Sequence, residues 1–80
     1  MAVKLVFLGK LADLTGAAER EVAAPLDWSG LLDALQGELG GWLASDKVKL
    51  AVNGTILADK MDLQASDGDE VALLPPVSGG

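Results

Sequence analysis

Asp67-Gly68-Asp69-Glu70-Val71-Ala72-Leu73-Leu74-Pro75-Pro76-Val77-Ser78-Gly79-Gly80 runs from a turn through an apolar strand into two prolines and two glycines. Asp67-Gly68-Asp69 reads as a turn, and Glu70 to Leu74 as a strand with Val71 and Leu73 on one face, Ala72 and Leu74 on the other. Each proline fixes its own φ and biases the residue before it toward extended backbone, so Leu74 and Pro75 should leave the strand in a defined direction. Gly79 and Gly80 have no Cβ, so that backbone fits a channel too narrow for other residues. Fully extended, residues 75–80 reach roughly 20 Å at about 3.3 Å per residue. The expected organisation is a folded domain over residues 1–74 and an extended Gly-Gly tail over residues 75–80, whose terminal carboxylate on Gly80 can work inside a neighbouring protein.

Upstream of the last strand, Lys47 to Val52 alternates with Val48, Leu50 and Val52 on one face. Asn53-Gly54 then supplies the two positive φ angles of a tight type I′ hairpin, and Thr55 to Leu57 returns as a brief strand. Asp59 to Ser66 reads as an irregular connection with Met61, Leu63 and Ala65 turned inward. At the other end of the chain, Val3 to Leu8 is a strand with Leu5 and Phe7 on one face and Lys4, Val6 and Leu8 on the other. Lys10 to Thr15 is a short helix, with Leu11 and Leu14 on one side and Gly16 as its left-handed stop. Glu19 to Ala24 is a polar strand whose charges suit a sheet edge, closed by Pro25. Asp27 caps the main helix, in which Trp28, Leu31, Leu32, Leu35 and Leu39 form one apolar stripe. Gly40-Gly41 is expected to end it, with Trp42 and Leu43 folding back onto the core.

Two strands, a crossing helix, a hairpin and a final strand predict an α+β fold of the β-grasp kind: a mixed sheet of about five strands with one main helix across one face. With the first and last strands parallel at the centre, Leu5, Phe7, Leu50, Val52, Val71 and Leu73 meet the helix. Val6, Leu8, Ala72, Leu74 and Ile56 are then left on a face that nothing in so short a chain can cover. Such an apolar patch beside the strand that launches the tail is a candidate partner surface.

Composition narrows the function. Half of the 80 residues are hydrophobic, enough for a packed interior. The chain has no cysteine, histidine or tyrosine, so it lacks a thiolate, the usual neutral-pH base and the commonest zinc ligand. It is expected to bind no metal or cofactor of its own and not to be an enzyme alone. Twelve acidic against six basic residues give a net charge of −6, the wrong sign for nucleic acid and suited to a partner with a basic face. No apolar run is long enough to span a membrane, and the start shows no signal-peptide pattern, so a cytoplasmic protein is expected.

The Asp67-Gly68-Asp69-Glu70-Val71-Ala72 segment followed by Pro75-Pro76-Val77-Ser78-Gly79-Gly80 closely resembles the ending of the molybdopterin synthase small subunits, a family of ubiquitin-like sulfur carriers. Ala51-Val52-Asn53 in the hairpin, Phe7-Leu8 followed by the Leu11 to Leu14 helix, and the overall length are similar to that family too. The turn and strand are shared among such carriers. The Pro-Pro-Val-x-Gly-Gly ending is the sharper mark, because thiazole-pathway carriers usually lack the two prolines. The resemblance implies that an E1-like adenylyltransferase activates Gly80 with ATP and that a sulfur donor protein converts it to a thiocarboxylate. The tail, Pro75, Pro76, Val77, Ser78 and Gly79 included, then enters the large subunit of molybdopterin synthase, where sulfur passes to cyclic pyranopterin monophosphate. By match of position, Leu8, Ile56 and Leu74 contribute to the contact with that subunit, in an assembly that is usually a heterotetramer.

Three other readings stand beside this one. The carrier could serve thiazole synthesis or tRNA thiolation, Gly80 could be joined to lysines of other proteins as in ubiquitin, or the domain could be an interaction module with an inert tail.

Overall fold

The computed structural model describes residues 1–45 and 47–75, without the surroundings of Gln36, Glu38 and Gly40. The chain forms β1 (Ala2–Phe7), α1 (Lys10–Thr15), β2 (Glu19–Ala23), β3 (Leu26–Asp27), α2 (Trp28–Ala44), β4 (Lys49–Val52), β5 (Thr55–Ile56), a 3-10 turn (Lys60–Asp62), β6 (Gln64–Ala65) and β7 (Glu70–Leu74). Five strands make one mixed sheet in the order β2-β1-β7-β4-β5, and β3 pairs with β6 beside it. β1 and β7 are parallel, with Leu5 opposite Val71 and Phe7 opposite Leu73; the other pairings are antiparallel. This is the β-grasp arrangement expected from the order of elements, with polar β2 at one edge as its charges imply.

Alternation decides the two faces. Val3, Leu5, Phe7, Leu50, Val71 and Leu73 are buried in one core with Leu31, Leu35, Leu39 and Leu43 of α2. Val52, at the far end of β4, is half-buried and packs against that core from its margin. The Asp27 carboxylate caps α2 by accepting the Gly30 N–H at 2.8 Å. Asn53 and Gly54 take φ of 50° and 88°, both positive as the tight hairpin requires. Gly16 ends α1 in the left-handed region at φ 77°.

Three expectations are corrected. Helix α2 does not stop at Gly40-Gly41 but runs through both to Ala44, so Trp42 and Leu43 lie in its last turn. Burial of Leu35, Leu39 and Leu43 stabilises by about 1.5–3 kcal/mol each, and exceeds the roughly 1 kcal/mol that each helical glycine costs. Leu14 is 45% exposed although Leu11 is fully buried. The two are about 60° apart around a helix of under two turns, and only Leu11 faces the core. Met61 is 62% exposed, while Leu63 and Ala65 are buried. Pairing of Leu26 with Ala65 ties that segment to β3 and turns those two inward, whereas Met61 lies on the 3-10 turn outside the pairing. The Lys60 ammonium there donates to the carbonyls of Ser45 and Val48 just beyond α2, where positive charge suits the helix C-terminus. Among the described residues no helix is long and apolar enough to cross a membrane.

Candidate docking face and tail exit

The sheet face opposite α2 is built by register. Val6 lies opposite Ala72, Ala72 opposite Ala51 and Ala51 opposite Ile56, so these four side chains form one row across β1, β7, β4 and β5. At roughly 4.8 Å per strand, the row spans about 14 Å. The small side chains of Ala72 and Ala51 make a shallow floor between Val6 and Ile56. The Leu8 N–H donates to the Leu73 carbonyl at 3.2 Å, which carries the parallel ladder one residue further and sets Leu8 beside Leu74. Leu8 is 38% exposed and Ile56 62%, whereas Leu74 is half-buried. The structure thus brings Leu8, Ile56 and Leu74 to one face. Alternation also places Ala51 there, a member that the sequence reading left out. The signal was present, since Ala51 and Ile56 share a side of the hairpin.

Acidic groups border the apolar row. Glu19 lies opposite Val6, and Lys4 lies between Glu21 and Glu70. The Lys4 ammonium is 3.2 Å from the Glu19 carboxylate, an exposed pair that adds little stability. Lys49, opposite Leu74, adds a second lysine to this border, so the rim carries both signs around an apolar floor suited to a partner's aliphatic or aromatic side chains.

β7 ends at Leu74, at the edge of this face, and Pro75 follows half-buried. A Cβ in standard geometry on Gly9 would lie 3.1 Å from Pro75 Cγ, so the proline ring rests on bare glycine backbone. Gly9, between β1 and α1, is a second residue that local sequence reading did not find. Pro76, Val77, Ser78, Gly79 and Gly80 lie outside the described residues.

The body offers little chemistry. Among the described residues no cluster of three or more metal-ligating side chains occurs. The carboxyl of Asp69 is held below its ordinary value of 3.8, first by the backbone N–H of Ser66 and then by the Asn53 amide. Its position before β7 is at the opposite end of that strand from the tail, so it fastens a turn and does not face Pro75.

Comparison with known proteins identifies the family and agrees with the fold. Residues 5–80 match the ThiS family. The molybdopterin synthase sulfur carrier subunit of Escherichia coli (strain K12) is 34% identical over 82 residues, covering 98% of this chain and 99% of that one. A chain in the complex of subunits 1 and 2 of molybdopterin-converting factor from Helicobacter pylori 26695 superposes with a TM-score of 0.70 at 29% identity, over 100% of both chains. Small archaeal modifier protein 1 of Haloferax volcanii superposes with a TM-score of 0.74 at 26% identity, again over 100% of both. With a family match from the first buried leucine of β1 through Gly80, and a relative aligned along nearly its whole length, the chain belongs to the ThiS family and is a relative of the molybdopterin synthase sulfur carrier subunits.

Proposed function

We propose that the protein is the sulfur carrier subunit of a molybdopterin synthase. The observation that carries this reading is the continuity of β7: its outward side chains Ala72 and Leu74 belong to the apolar face, and the next residue begins the tail. A partner that docks on the face therefore receives the Gly-Gly end beside its own surface. The relatives named as sulfur carrier subunits, and the likeness to a two-subunit complex, support the large subunit as that partner.

The chemistry asks nothing of the carrier but an accessible carboxylate. A carboxylate resists nucleophiles at neutral pH, so an E1-like adenylyltransferase first joins Gly80 to AMP from ATP, releasing pyrophosphate. A persulfide on the sulfur donor protein attacks that anhydride and expels AMP. A thiol then cleaves the acyl persulfide, leaving the thiocarboxylate on Gly80 and a disulfide on the donor side. In the large subunit the sulfur passes to cyclic pyranopterin monophosphate, and water returns Gly80 to a carboxylate. Glycine at positions 79 and 80 serves access, since each Cβ would take up room in the channels of both partners.

Likeness to small archaeal modifier protein 1 favours a second reading, in which a lysine amine of a target protein attacks the same acyl adenylate. One experiment separates the two. The chain is incubated with ATP, an activating enzyme and a sulfur source, and its intact mass is measured. Exchange of one oxygen for sulfur, localised to Gly80, supports the carrier; an unchanged mass with a proven activating enzyme refutes it. Higher-mass conjugates that require Gly80 support the modifier.

A further inference from the structure

We propose that Gly9 is a positioning residue for the tail, its bare backbone forming the seat that sets the direction in which the chain leaves β7 at Pro75. The inference rests on the carrier reading and concerns how the Gly80 carboxylate is aimed.

Three observations meet at this point. The Leu8 N–H to Leu73 carbonyl bond, at 3.2 Å, locks the ends of β1 and β7 together one residue before Gly9 and two before Pro75. Gly9 has φ 55° and ψ −134°, a backbone conformation that side-chain-bearing residues rarely adopt. It turns the chain directly into α1, where the Leu11 N–H bonds the Leu8 carbonyl and the Ala12 N–H bonds the Gly9 carbonyl, each at 3.1 Å. The third observation is the close approach: a Cβ on Gly9 would meet Pro75 Cγ at 3.1 Å, inside the roughly 3.5–4.0 Å of ordinary carbon contact.

The two sides of that contact differ in freedom. Gly9 is held between the β1 ladder and α1, and α1 is anchored by the fully buried Leu11. Pro75 has left the sheet and is only half-buried, so added bulk at Gly9 displaces the ring. The displacement grows along the tail. In a tail held extended, five residues beyond Pro75 span about 16 Å, and a tilt of about 5° at Pro75 moves the carboxylate by about 1.4 Å. Misplacement by about 1 Å at a reacting centre can cost on the order of a hundredfold in rate. The body would still dock through Val6, Ala72, Leu74 and Ile56, but the carboxylate would arrive off line.

The test uses the full chain with Gly9→Ala, Pro75→Ala and both together, each loaded with sulfur and mixed with saturating large subunit. Gly9→Ala is expected to lower the rate of sulfur delivery about tenfold while affinity for the large subunit stays within about threefold. Pro75→Ala, which leaves Gly9 and α1 untouched, is expected to lower delivery several-fold by freeing the exit. The double variant should lose less relative to Pro75→Ala than Gly9→Ala loses relative to the wild type, because the backbone strain at position 9 is common to both backgrounds while the push on the ring is present in only one. If Gly9→Ala slows delivery by the same factor in both backgrounds, it acts through backbone strain or α1 and the inference is overturned. Pro75→Ala at the wild-type rate overturns it as well, and needs no Gly9 variant to fold. A wild-type chain that takes up no sulfur overturns the carrier reading and this inference together, whereas normal loading with equal delivery by all variants overturns this inference alone.

Discussion

Asn53 reaches from the turn between β4 and β5 to donate its Nδ2 to Asp69 Oδ1 at 3.1 Å, while its own Oδ1 accepts the Glu70 N–H at 3.0 Å. Its backbone N–H also donates to the Glu70 carbonyl at 2.8 Å. One asparagine thus serves the hairpin, where it takes φ 50°, and fastens the start of β7. These roles separate by mutation. Asn53→Gly keeps the permitted φ and loses only the side-chain bonds. Asn53→Ala loses the bonds and adds left-handed strain, so it should be less stable than Asn53→Gly by about 1 kcal/mol. Urea denaturation of the two variants measures the difference, and equal stabilities would show that the turn carries no conformational strain.

Asp69 gives that fastening a pH dependence. Its Oδ2 accepts the Ser66 N–H at 2.8 Å, and this bond, ahead of the one from Asn53, holds its carboxyl below 3.8 in the folded chain. A depressed folded value means that the ionised carboxylate stabilises the fold above pH 3.8, and that this contribution fades as pH falls through the lower folded value. Asp69→Asn should therefore be less stable than the wild type at neutral pH, and the gap should close in acid below 3.8. Unfolding curves for both proteins across that range test it. A gap that is constant with pH would mean that shape, not charge, makes the contribution.

Helix α2 contains glycines with different surroundings. A Cβ on Gly37 would meet nothing within 4 Å, whereas one on Gly30 would lie 3.2 Å from Leu26 Cδ1 and 3.3 Å from the capping Asp27 Oδ1. Gly37→Ala should therefore gain the helix propensity in full, about 1 kcal/mol or about 4–8 °C in Tm for a domain of this size. Gly30→Ala should gain less, because the same term is offset by crowding of the cap. Thermal unfolding orders the pair, and a larger gain at Gly30 would contradict the assigned packing.

Much of this fold follows from short-range patterns. Alternation in β1, β4 and β7 separates core from outer face, Asp27 and Gly16 mark helix ends, and Asn53-Gly54 marks the hairpin. The errors arose where a distant contact overrode a local preference. Gly40-Gly41 signals a stop only until Leu43 is seen to be fully buried beneath the sheet. Met61 has the spacing of a core residue, but pairing of Ala65 with Leu26 selects Leu63 and Ala65. The apolar outer face was legible because strand periodicity determines it. The Gly9 seat was not, because it joins residues at opposite ends of the chain.

The outer face yields the last prediction, which separates docking from folding. Ile56 is 62% exposed at the sheet edge, opposite Ala51. Ile56→Asp should therefore leave the isolated domain folded, with its thermal transition little changed. Leu74 is half-buried in β7 opposite Lys49, so Leu74→Asp tests the same face nearer the tail exit, where the carboxylate can turn toward that lysine. Covering one such side chain at an interface contributes roughly 1.5–3 kcal/mol, and placing a carboxylate there adds a desolvation cost. Each substitution should weaken association with the large subunit by at least about tenfold. Calorimetric titration measures that loss. The loading step gives the contrast: if the activating enzyme needs only the tail, both variants still take up sulfur at Gly80, and the defect appears only on delivery. Unchanged affinity in both variants would remove this face from the interface, and unfolding of Leu74→Asp alone would show that Leu74 belongs to the body's packing.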